Sequence, residues 1–438
     1  MEKIFLITLI LFEIGFVIFS LVKGSRQDQI RNKVRVCGFL VFLILAITPI
    51  LSFSFRWYMV AILLLLYAII GGVKLYKATP SKPFRKGKVV LQGILMCILF
   101  FFACVPGLVF PDYKPIASTG MYDVATKEIT YTDSEHKYLD GKNNYVNVAF
   151  WYPKNPEDTN KSFPLVVFDH GAYGVKDSNF SAFVELASHG YVVCSIDHPG
   201  HSFFTKSDTG KMAMMDMNYY KEVMYANSVD CTAKEAYDYI GKWMDVRVSG
   251  INLTLDTILQ YAQETDAKSP YNLIDTEKIG LFGHSMGAAS SVWVGQERED
   301  IDAIINIDGP YFSELSYDET NDDIVAKGEA YDTPILNIYS DSVWNQIIDD
   351  RTNGVYAGNK IADTICKENY TMYLKGAKHL TLTDLALISP FLTNMLNREK
   401  ATIDVRYCLK TEQEAILSFF DCYLKGGPAY TMTGTFTK

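Results

Sequence analysis

The chain carries little positive charge. It contains 41 lysine and arginine residues against 50 aspartate and glutamate residues, which leaves a formal net charge of -9 over 438 residues. The basic residues that do cluster lie between apolar runs in the first quarter of the chain, where membrane topology accounts for them. A nucleic-acid partner would need a basic surface elsewhere, so the composition argues against one.

Cysteines are few and are not arranged for metal or redox chemistry. The chain has eight, and no two of them form a C-x-x-C pair. Neither a zinc ribbon nor a thioredoxin-type redox site is therefore indicated. Asp197, His198 and His201 suggest a metal site, but three residues on one loop without a fourth ligand are weak evidence for it. We accordingly predict no metal site.

Apolar residues are abundant, and the excess is concentrated near the N-terminus. They make up 49% of the chain, and four runs approach the length that spans a bilayer. These runs are Ile4 to Val22, Cys37 to Phe53, Trp57 to Val73 and Val89 to Phe110. Only the first has a charge in its interior, Glu13, which we expect to face the other helices or to be protonated. The sequence thus predicts about four transmembrane helices over residues 1–110.

The loops between these runs predict the orientation in the membrane. Basic residues are concentrated in the loop after the first run and in the loop after the third, and such loops remain cytoplasmic. They are Lys23, Arg26, Arg31, Lys33 and Arg35 in one loop, and Lys74, Lys77, Lys82, Arg85, Lys86 and Lys88 in the other. With four spans, residues 111–438 would lie outside the cell membrane. The alternative is that one weak run, the second or the third, does not cross.

Residues 111–438 alternate between short apolar runs and helical segments. Tyr122 to Tyr131 and Tyr145 to Tyr152 roughly alternate apolar and polar residues, which is typical of an antiparallel sheet edge. Helical segments such as Phe180 to His189 and Val246 to Gln263 separate the later runs. Those runs are continuous, as in strands buried on both faces: Leu165 to Phe168, Tyr191 to Ile196, Ile279 to Phe282, Ala303 to Ile307, Ile335 to Tyr339 and Thr371 to Leu374. We predict a mostly parallel sheet with helices on both faces.

A serine motif lies in the middle of this pattern. The segment Lys278 to Ala289, KIGLFGHSMGAA, contains G-x-S-x-G between a predicted strand and a predicted helix. Ser285 therefore occupies the strand-turn-helix corner that a nucleophile elbow requires. The flanking glycines have a physical reason, because a sharp, strained turn leaves no room for neighbouring side chains. The alternative is a serine in an ordinary strand-helix turn.

The order of the chain identifies a base and leaves the acid open. In hydrolases with this elbow the triad follows the order serine, acid, histidine. Of seven histidines, only His379 lies well beyond Ser285, so we predict it as the base. Asp308 and Asp341 both follow predicted strands, where functional residues of such sheets collect. Either aspartate is a candidate acid, and either is a candidate turn residue.

Several segments carry a family resemblance. They are PLVVFDHGAYG (Pro164 to Gly174), LASHGYVVCSIDHPGHS (Leu186 to Ser202), KIGLFGHSMGAAS (Lys278 to Ser290), INIDGP (Ile305 to Pro310), PILNIYSDS (Pro334 to Ser342) and KHLTLTDL (Lys378 to Leu385). In this order and at similar spacing, they resemble the plasma-type platelet-activating factor acetylhydrolase family. Glu399 to Lys425 is similar to that family's last helix. The resemblance covers most of Pro164 to Lys425, excludes the apolar runs, and implies an α/β-hydrolase fold.

The resemblance also implies roles for individual residues. In that family the acid follows the strand next after the nucleophile strand, which matches Asp308. The implied triad is Ser285, Asp308 and His379. Carried over by motif, the oxyanion hole consists of the backbone N–H groups of Ala172 and Met286. Two such donors stabilise the negative charge that builds on the carbonyl oxygen during acyl transfer. This chemistry needs no cofactor.

Two segments depart from the family pattern and leave the substrate open. Asn179 to Phe183 and Phe203 to Trp243 do not match, and we expect them to shape the substrate mouth. The second segment is rich in Met and Tyr: Met212, Met214, Met215, Met217, Tyr219 and Tyr220. The Met- and Tyr-rich stretch is either a lid that contacts lipid or a surface helix packed on the core.

The sequence thus predicts a membrane-tethered serine esterase that acts on short-chain or oxidised acyl esters, with phospholipids among the candidate substrates. One alternative keeps the triad and makes the substrate a soluble ester, a lactone or a polymer. The other is a non-catalytic membrane protein with a degenerate hydrolase domain.

Overall fold

The computed structural model describes residues 2–48, 50–137, 143–156, 162–349 and 353–438. The chain divides into two compact units. The first comprises the residues up to Lys114 together with Ile388–Leu392, and the second comprises Pro115–Leu387 and Thr393–Lys438.

The first unit is helical. Its long helices within the described residues are α1 (Glu2–Lys23), α2 (Asp28–Ile47), α3 (Tyr58–Tyr76) and α4 (Lys86–Val109). The first packs mainly against the fourth, and the second against the third. Glu13 of α1 is buried and pairs with Arg31 of α2, whose side chain is also buried. The carboxyl therefore faces the other helices, as predicted.

Three helical segments of the described chain are long and apolar enough to cross a membrane, instead of the four expected. They are Lys3–Lys23, Phe55–Tyr76 and Lys86–Val109. Helix α2 falls short because its first half contains charged residues, Asp28, Arg31, Lys33 and Arg35. The predicted boundaries Cys37 to Phe53 are wrong, since the helix begins at Asp28 and ends at Ile47.

The second unit is built on a large sheet. Its strands are β1 (Val124–Lys137), β2 (Asn143–Pro153), β3 (Phe163–Asp169), β4 (Val192–Asp197), β5 (Phe204–Lys206), β6 (Met212–Met214), β7 (Ile274–His284), β8 (Ala303–Ile307), β9 (Leu315–Asp318), β10 (Asp323–Ala326), β11 (Ile335–Ser340), β12 (Asn369–Leu374) and β13 (Gly434–Phe436). Over the described residues, nine strands form one sheet in the order β1-β2-β4-β3-β7-β8-β11-β12-β13. Two small hairpins, β5-β6 and β9-β10, stand apart from it.

The strand directions confirm the predicted sheet. Strand β2 is antiparallel to both β1 and β4, which gives the antiparallel edge. The rest of the nine-stranded sheet, in the order β4-β3-β7-β8-β11-β12-β13, pairs in parallel. The central strands β3, β4, β8 and β11 are buried along their whole length. Continuous apolar runs therefore marked the strands that helices cover on both sides.

Helices cover both faces of this sheet. The helices after the first four are α5 (Phe180–Ser188), α6 (Met217–Ala226), α7 (Ala233–Ala262), α8 (Met286–Glu297), α9 (Asp341–Ile347), α10 (Ala357–Lys360), α11 (Ala362–Ile365), α12 (Leu385–Ile388), α13 (Pro390–Asn397) and α14 (Val405–Lys425). One core contains Leu255 of α7 and Val292 of α8, and the other contains Phe183 of α5 and Phe419 of α14. The architecture is that of an α/β-hydrolase.

Two predictions about local structure are wrong. Helix α7 starts well before the predicted Val246, because Thr232 and Glu235 form a capping box that stabilises its first turn. The segment from Asn179 to Phe183 does not shape a substrate mouth. The ring of Phe183 is fully buried and packs 4.9 Å from that of Phe168, while Asn179 Nδ2 donates to the carbonyl of Leu382 at 2.8 Å.

Candidate active site

Ser285 lies at a strained turn between β7 and α8. Its φ of 57° and ψ of -121° are unusual for a residue with a side chain. A Cβ atom on Gly287 would lie 2.1 Å from the carbonyl oxygen of Asp169, so only glycine fits there. The Ser285 N–H donates to the carbonyl of Ile307 at 2.8 Å. The backbones of neighbouring strands therefore hold the serine at the corner that the motif predicted.

His379 and Asp308 are in direct contact. His379 opens a short 3-10 helix, His379–Leu382, after β12, and its Nδ1 lies 2.9 Å from Oδ2 of Asp308. Asp308 follows β8 and is fully buried. Its carboxylate accepts bonds from the N–H of Ser340 at 2.7 Å and from the hydroxyl of Ser340 at 2.5 Å. These bonds aim the carboxylate at the imidazole. Sequence analysis missed Ser340, whose only signal is its place at the end of a buried strand.

Asp341, the other candidate acid, has different partners. Its Oδ1 accepts bonds from the hydroxyl of Tyr373 at 2.7 Å and from the N–H of Gly376 at 2.8 Å. Lys378 Nζ lies 3.5 Å from Oδ2. These contacts close the turn that leads to His379. Of the two candidates, Asp308 is the one whose carboxylate contacts the His379 ring.

The segments that carry the two predicted oxyanion donors meet at Ser285. Met286 is the first residue of α8, where backbone N–H groups have no acceptor within the helix. Ala172 lies in the loop after β3, next to Gly171. A Cβ atom on Gly171 would lie 3.1 Å from Cβ of Ser285, so this loop passes directly against the elbow.

His284 packs on the predicted base. Its Nε2 lies 3.0 Å from the carbonyl oxygen of His379, and the two ring centroids are 4.5 Å apart. Burial lowers the pKa of His284 well below its ordinary value, and the neighbouring His379 lowers it further. A neutral His284 supports His379 through packing and a backbone contact.

A buried charged cluster lies behind the loop after β3, and sequence analysis missed its centre. Arg247 of α7 is fully buried, and its Nη1 lies 2.7 Å from Oδ1 of Asp169. His198 Nε2 is 3.0 Å from the same oxygen, and Ser290 Oγ donates to Oδ2 at 2.6 Å. Burial raises the pKa of Asp169, but the charge of Arg247 and the contact with His198 lower it below its ordinary value. One signal was present, since Arg247 falls on the buried face of α7 between Met244 and Ile251.

The loop that contains Asp197, His198 and His201 contributes side chains to this buried charged cluster. Across the part of the chain that the structure describes, no group of three His, Cys, Asp or Glu residues is placed to hold a metal ion. The His201 ring stacks on that of Tyr219 at 3.9 Å. Burial and the charge of Arg247 lower the pKa of His201 well below its ordinary value.

The Met- and Tyr-rich segment forms the β5-β6 hairpin and helix α6. On the inner side, Tyr219 and Val223 join an apolar cluster with Met286, and the Tyr219 hydroxyl lies 3.0 Å from Sδ of Met286. The outer side leaves six apolar side chains exposed: Phe203, Met212, Met214, Met217, Tyr220 and Met224. The inner side of this segment therefore packs against Met286, one of the predicted oxyanion donors, and its exposed side chains form an apolar surface.

The sheet, the elbow at the end of β7 and the polar residues at the following strand ends define a class of protein, the carboxylic ester hydrolases of the α/β-hydrolase fold. A similar solved structure is the ferulic acid esterase from Streptomyces cinnamoneus, with a TM-score of 0.54 over 72% of this chain and 93% of that chain. The two sequences are 18% identical, so the likeness concerns the fold.

The family follows from the sequence comparisons. The family described as platelet-activating factor acetylhydrolase, isoform II, matches residues 147–427, and the chain belongs to it. Relatives are platelet-activating factor acetylhydrolases from Canis lupus familiaris (26% identity over 31% of this chain and 32% of that protein), Cavia porcellus (21% over 72% and 70%) and Bos taurus (20% over 61% and 58%). The match to the dog enzyme thus spans about a third of that protein's length.

The contacts of the two aspartates predict opposite mutant phenotypes. Asp308→Asn should lower kcat for a soluble p-nitrophenyl ester by about ten-thousand-fold, because an amide favours the wrong imidazole tautomer and cannot stabilise the imidazolium. Asp341→Asn should lower the free energy of unfolding by about 1 to 2 kcal/mol and leave kcat within a few-fold. Both variants are measured on the full-length protein in detergent. An inactive Asp341→Asn beside an active Asp308→Asn would place the acid on the later strand.

Proposed function

We propose that this protein is a membrane-tethered serine esterase that hydrolyses short-chain or oxidised acyl esters, including those of phospholipids. Its triad is Ser285, Asp308 and His379. The observation that carries the proposal is the 2.9 Å contact between His379 Nδ1 and Asp308 Oδ2, beside the strained elbow at Ser285. Strain of this kind persists where the surrounding structure enforces it, and it is common at nucleophiles.

The proposed reaction runs through an acyl-enzyme. With Nδ1 of His379 held by Asp308, Nε2 accepts the proton of Ser285 as Oγ attacks the ester carbonyl carbon. The N–H groups of Ala172 and Met286 bind the oxyanion of the tetrahedral intermediate. The carbon–oxygen bond to the alcohol then breaks, and His379 returns the proton to the leaving oxygen. Water then attacks the acyl-enzyme through the same steps, and the carboxylic acid is released.

The proposed substrate class rests on the family and on the surface around the site. The relatives are named platelet-activating factor acetylhydrolases, and the name describes the hydrolysis of an acetyl group from that factor. Here the outer side of α6 and the β5-β6 hairpin exposes methionines and aromatic rings, and flexible methionines accommodate varied apolar groups. An ester with an apolar portion suits such a surface better than a sugar or a charged polymer.

Membrane tethering and an exterior catalytic domain complete the proposal. Three segments of the described chain are apolar and long enough to cross. Helix α2 is long enough to span a bilayer. Its Arg31 pairs with Glu13 of α1, and this ion pair lowers the free-energy cost of placing both charges among the helices. With α2 counted as a span, the basic residues in the first half of α2 and those between the third and fourth helices lie on the cytoplasmic side, and the catalytic domain is outside.

The nucleophile assignment predicts the phenotype of Ser285→Ala. The variant should insert and fold normally, because the hydroxyl is not part of the backbone contacts that hold the elbow. Its turnover of a p-nitrophenyl ester should fall by about a millionfold, as for loss of the nucleophile in other serine hydrolases. A fluorophosphonate probe should label the wild-type protein on intact membranes and leave Ser285→Ala unlabelled.

Ser291→Ala is the matched control for this test. It removes a hydroxyl from the same helix, whose bond goes to the Gly287 carbonyl inside α8, and should leave labelling intact. Near-normal turnover by a folded Ser285→Ala protein would end the serine-esterase proposal. A wild-type protein that resists the probe would indicate a non-catalytic domain.

The topology is tested by single cysteines in a cysteine-free background. Positions Lys33, Lys82 and Lys154 are all exposed. In whole cells, a membrane-impermeant maleimide should modify the cysteine at Lys154 and spare those at Lys33 and Lys82, because clusters of basic residues beside membrane spans stay on the cytoplasmic side. Permeabilised cells, in which all three should react, provide the control. Labelling at both Lys33 and Lys154 would mean that α2 does not cross, and labelling at Lys82 without Lys154 would place the catalytic domain in the cytoplasm.

A further inference from the structure

The peptide between Gly171 and Ala172 is held through its carbonyl by several donors. The Gly171 oxygen lies 2.6 Å from Nδ1 of His170 and 3.0 Å from the backbone N of Gly174. Arg247 Nη2 lies 3.4 Å from the same oxygen, and its Nη1 donates to the carbonyl of His170 at 2.9 Å. A fully buried guanidinium therefore contacts two successive carbonyls of the loop that carries Ala172.

Holding this carbonyl fixes the direction of an N–H group. A trans peptide is planar, and its C=O and N–H point in opposite directions. The Gly171 carbonyl and the Ala172 N–H belong to the same peptide, so donors that hold the carbonyl toward Arg247 point the N–H away from Arg247. Gly171 itself approaches the elbow, where an added Cβ would lie 3.1 Å from Cβ of Ser285.

The protonation of the neighbours agrees with this arrangement. Ser202 Oγ accepts a bond from the N–H of His198 at 2.9 Å and lies 2.7 Å from Nε2 of His170. Its own proton can therefore go to His170 Nε2, which leaves the ring proton on Nδ1, facing the Gly171 oxygen. Burial and the charge of Arg247 lower the pKa of His170 well below its ordinary value, so the ring is neutral and carries one proton.

The guanidinium of Arg247 is also paired with a carboxylate. Asp169 Oδ1 lies 2.7 Å from Nη1. Burial lowers the pKa of Arg247, but the contacts with Asp169 and Tyr219 outweigh burial, so the net shift raises the pKa and the guanidinium stays charged. Asp169 in turn is bound by His198 and by Ser290 of α8. The helix that begins at Met286 and the loop that carries Ala172 are thus joined through one ion pair.

We propose that Arg247 is a positioning residue for the oxyanion hole, which it serves by holding the Gly171 carbonyl so that the Ala172 N–H faces the reacting ester. His170 shares this role through Nδ1. The inference rests on the proposed esterase function, and it extends that function to residues that touch neither the substrate nor the triad.

Arg247→Lys in the full-length protein tests the proposal. Lysine keeps a positive charge opposite Asp169, but a single ammonium cannot reach that carboxylate and both carbonyls at once. The variant should lower kcat for a p-nitrophenyl ester by about 10- to 100-fold, with KM changed by no more than about threefold. Affinity for a trifluoromethyl ketone should weaken by a similar factor, because its serine adduct places an oxyanion in the same hole.

Two further variants separate positioning from stability. Tyr131→Phe removes a buried hydroxyl pair with Tyr271, 2.7 Å apart, at the edge strand β1. It should lower Tm and leave both kcat and ketone affinity unchanged. His170→Asn retains a side-chain donor near the place of Nδ1, whereas His170→Leu removes it, so kcat should be at least about tenfold higher for the asparagine variant.

Each result of these measurements either supports or contradicts the positioning role of Arg247. A folded Arg247→Lys with wild-type kcat would overturn the proposal, as would a loss of kcat without weaker ketone binding. If Arg247→Lys fails to fold, the two His170 variants provide the test. Equal kcat values for His170→Asn and His170→Leu would contradict the proposal. Failure of the esterase function itself looks different, because the wild-type protein would then hydrolyse the ester no faster than Ser285→Ala.

Discussion

The site depends on one buried residue, Asp169, at the end of β3. Its carbonyl oxygen approaches Gly287 so closely that a side chain there would collide. Its carboxylate binds Arg247, His198 and Ser290. Burying a charge is costly unless it is paired and fully hydrogen-bonded, so this carboxylate constrains every element that contacts it. Strand β3, helix α7 and helix α8 are fixed in one arrangement, and the elbow is one part of it.

The strained backbone of the site is stable because that arrangement surrounds it. Ser285 and Asp308 both have positive φ, at 57° and 56°, which costs on the order of 1–3 kcal/mol each. The Ser285 N–H binds the Ile307 carbonyl at 2.8 Å, and the Asp308 N–H binds the Ile338 carbonyl at 2.9 Å. Each strained residue is therefore tied to the strand beside it. The turns place the hydroxyl of Ser285 and the carboxylate of Asp308 at adjacent strand ends, which regular strand geometry alone would not do.

The sequence predicted features that are visible in a short stretch of the chain, and it missed contacts between residues that are far apart in the chain. Buried strands such as Ala303–Ile307 were found because a continuous apolar run is visible locally, and the elbow was found because its glycines are. The candidate acids could not be separated from the residues alone, since the contacts of Asp341 with Tyr373 and Gly376 come from residues more than 30 positions away. Arg247 was missed because a polar residue on a helix is ordinarily assigned to its solvent-exposed face. The bounds of α2 were misplaced because its charged first half resembles a loop.

The contrast between the central sheet and the segments that cover it also explains why the sequence predicted the type of reaction better than the substrate specificity. The residues that resemble the family lie at strand ends, where the sheet fixes their positions. The departing segment, β5, β6 and α6, packs its inner side through Tyr219 against Met286 and His201. Its inner residues are therefore constrained by their contacts with Met286 and His201. Its outer residues, such as Met217 and Met224, are exposed, so substitutions there would change the apolar surface while the contacts of the inner residues stay in place.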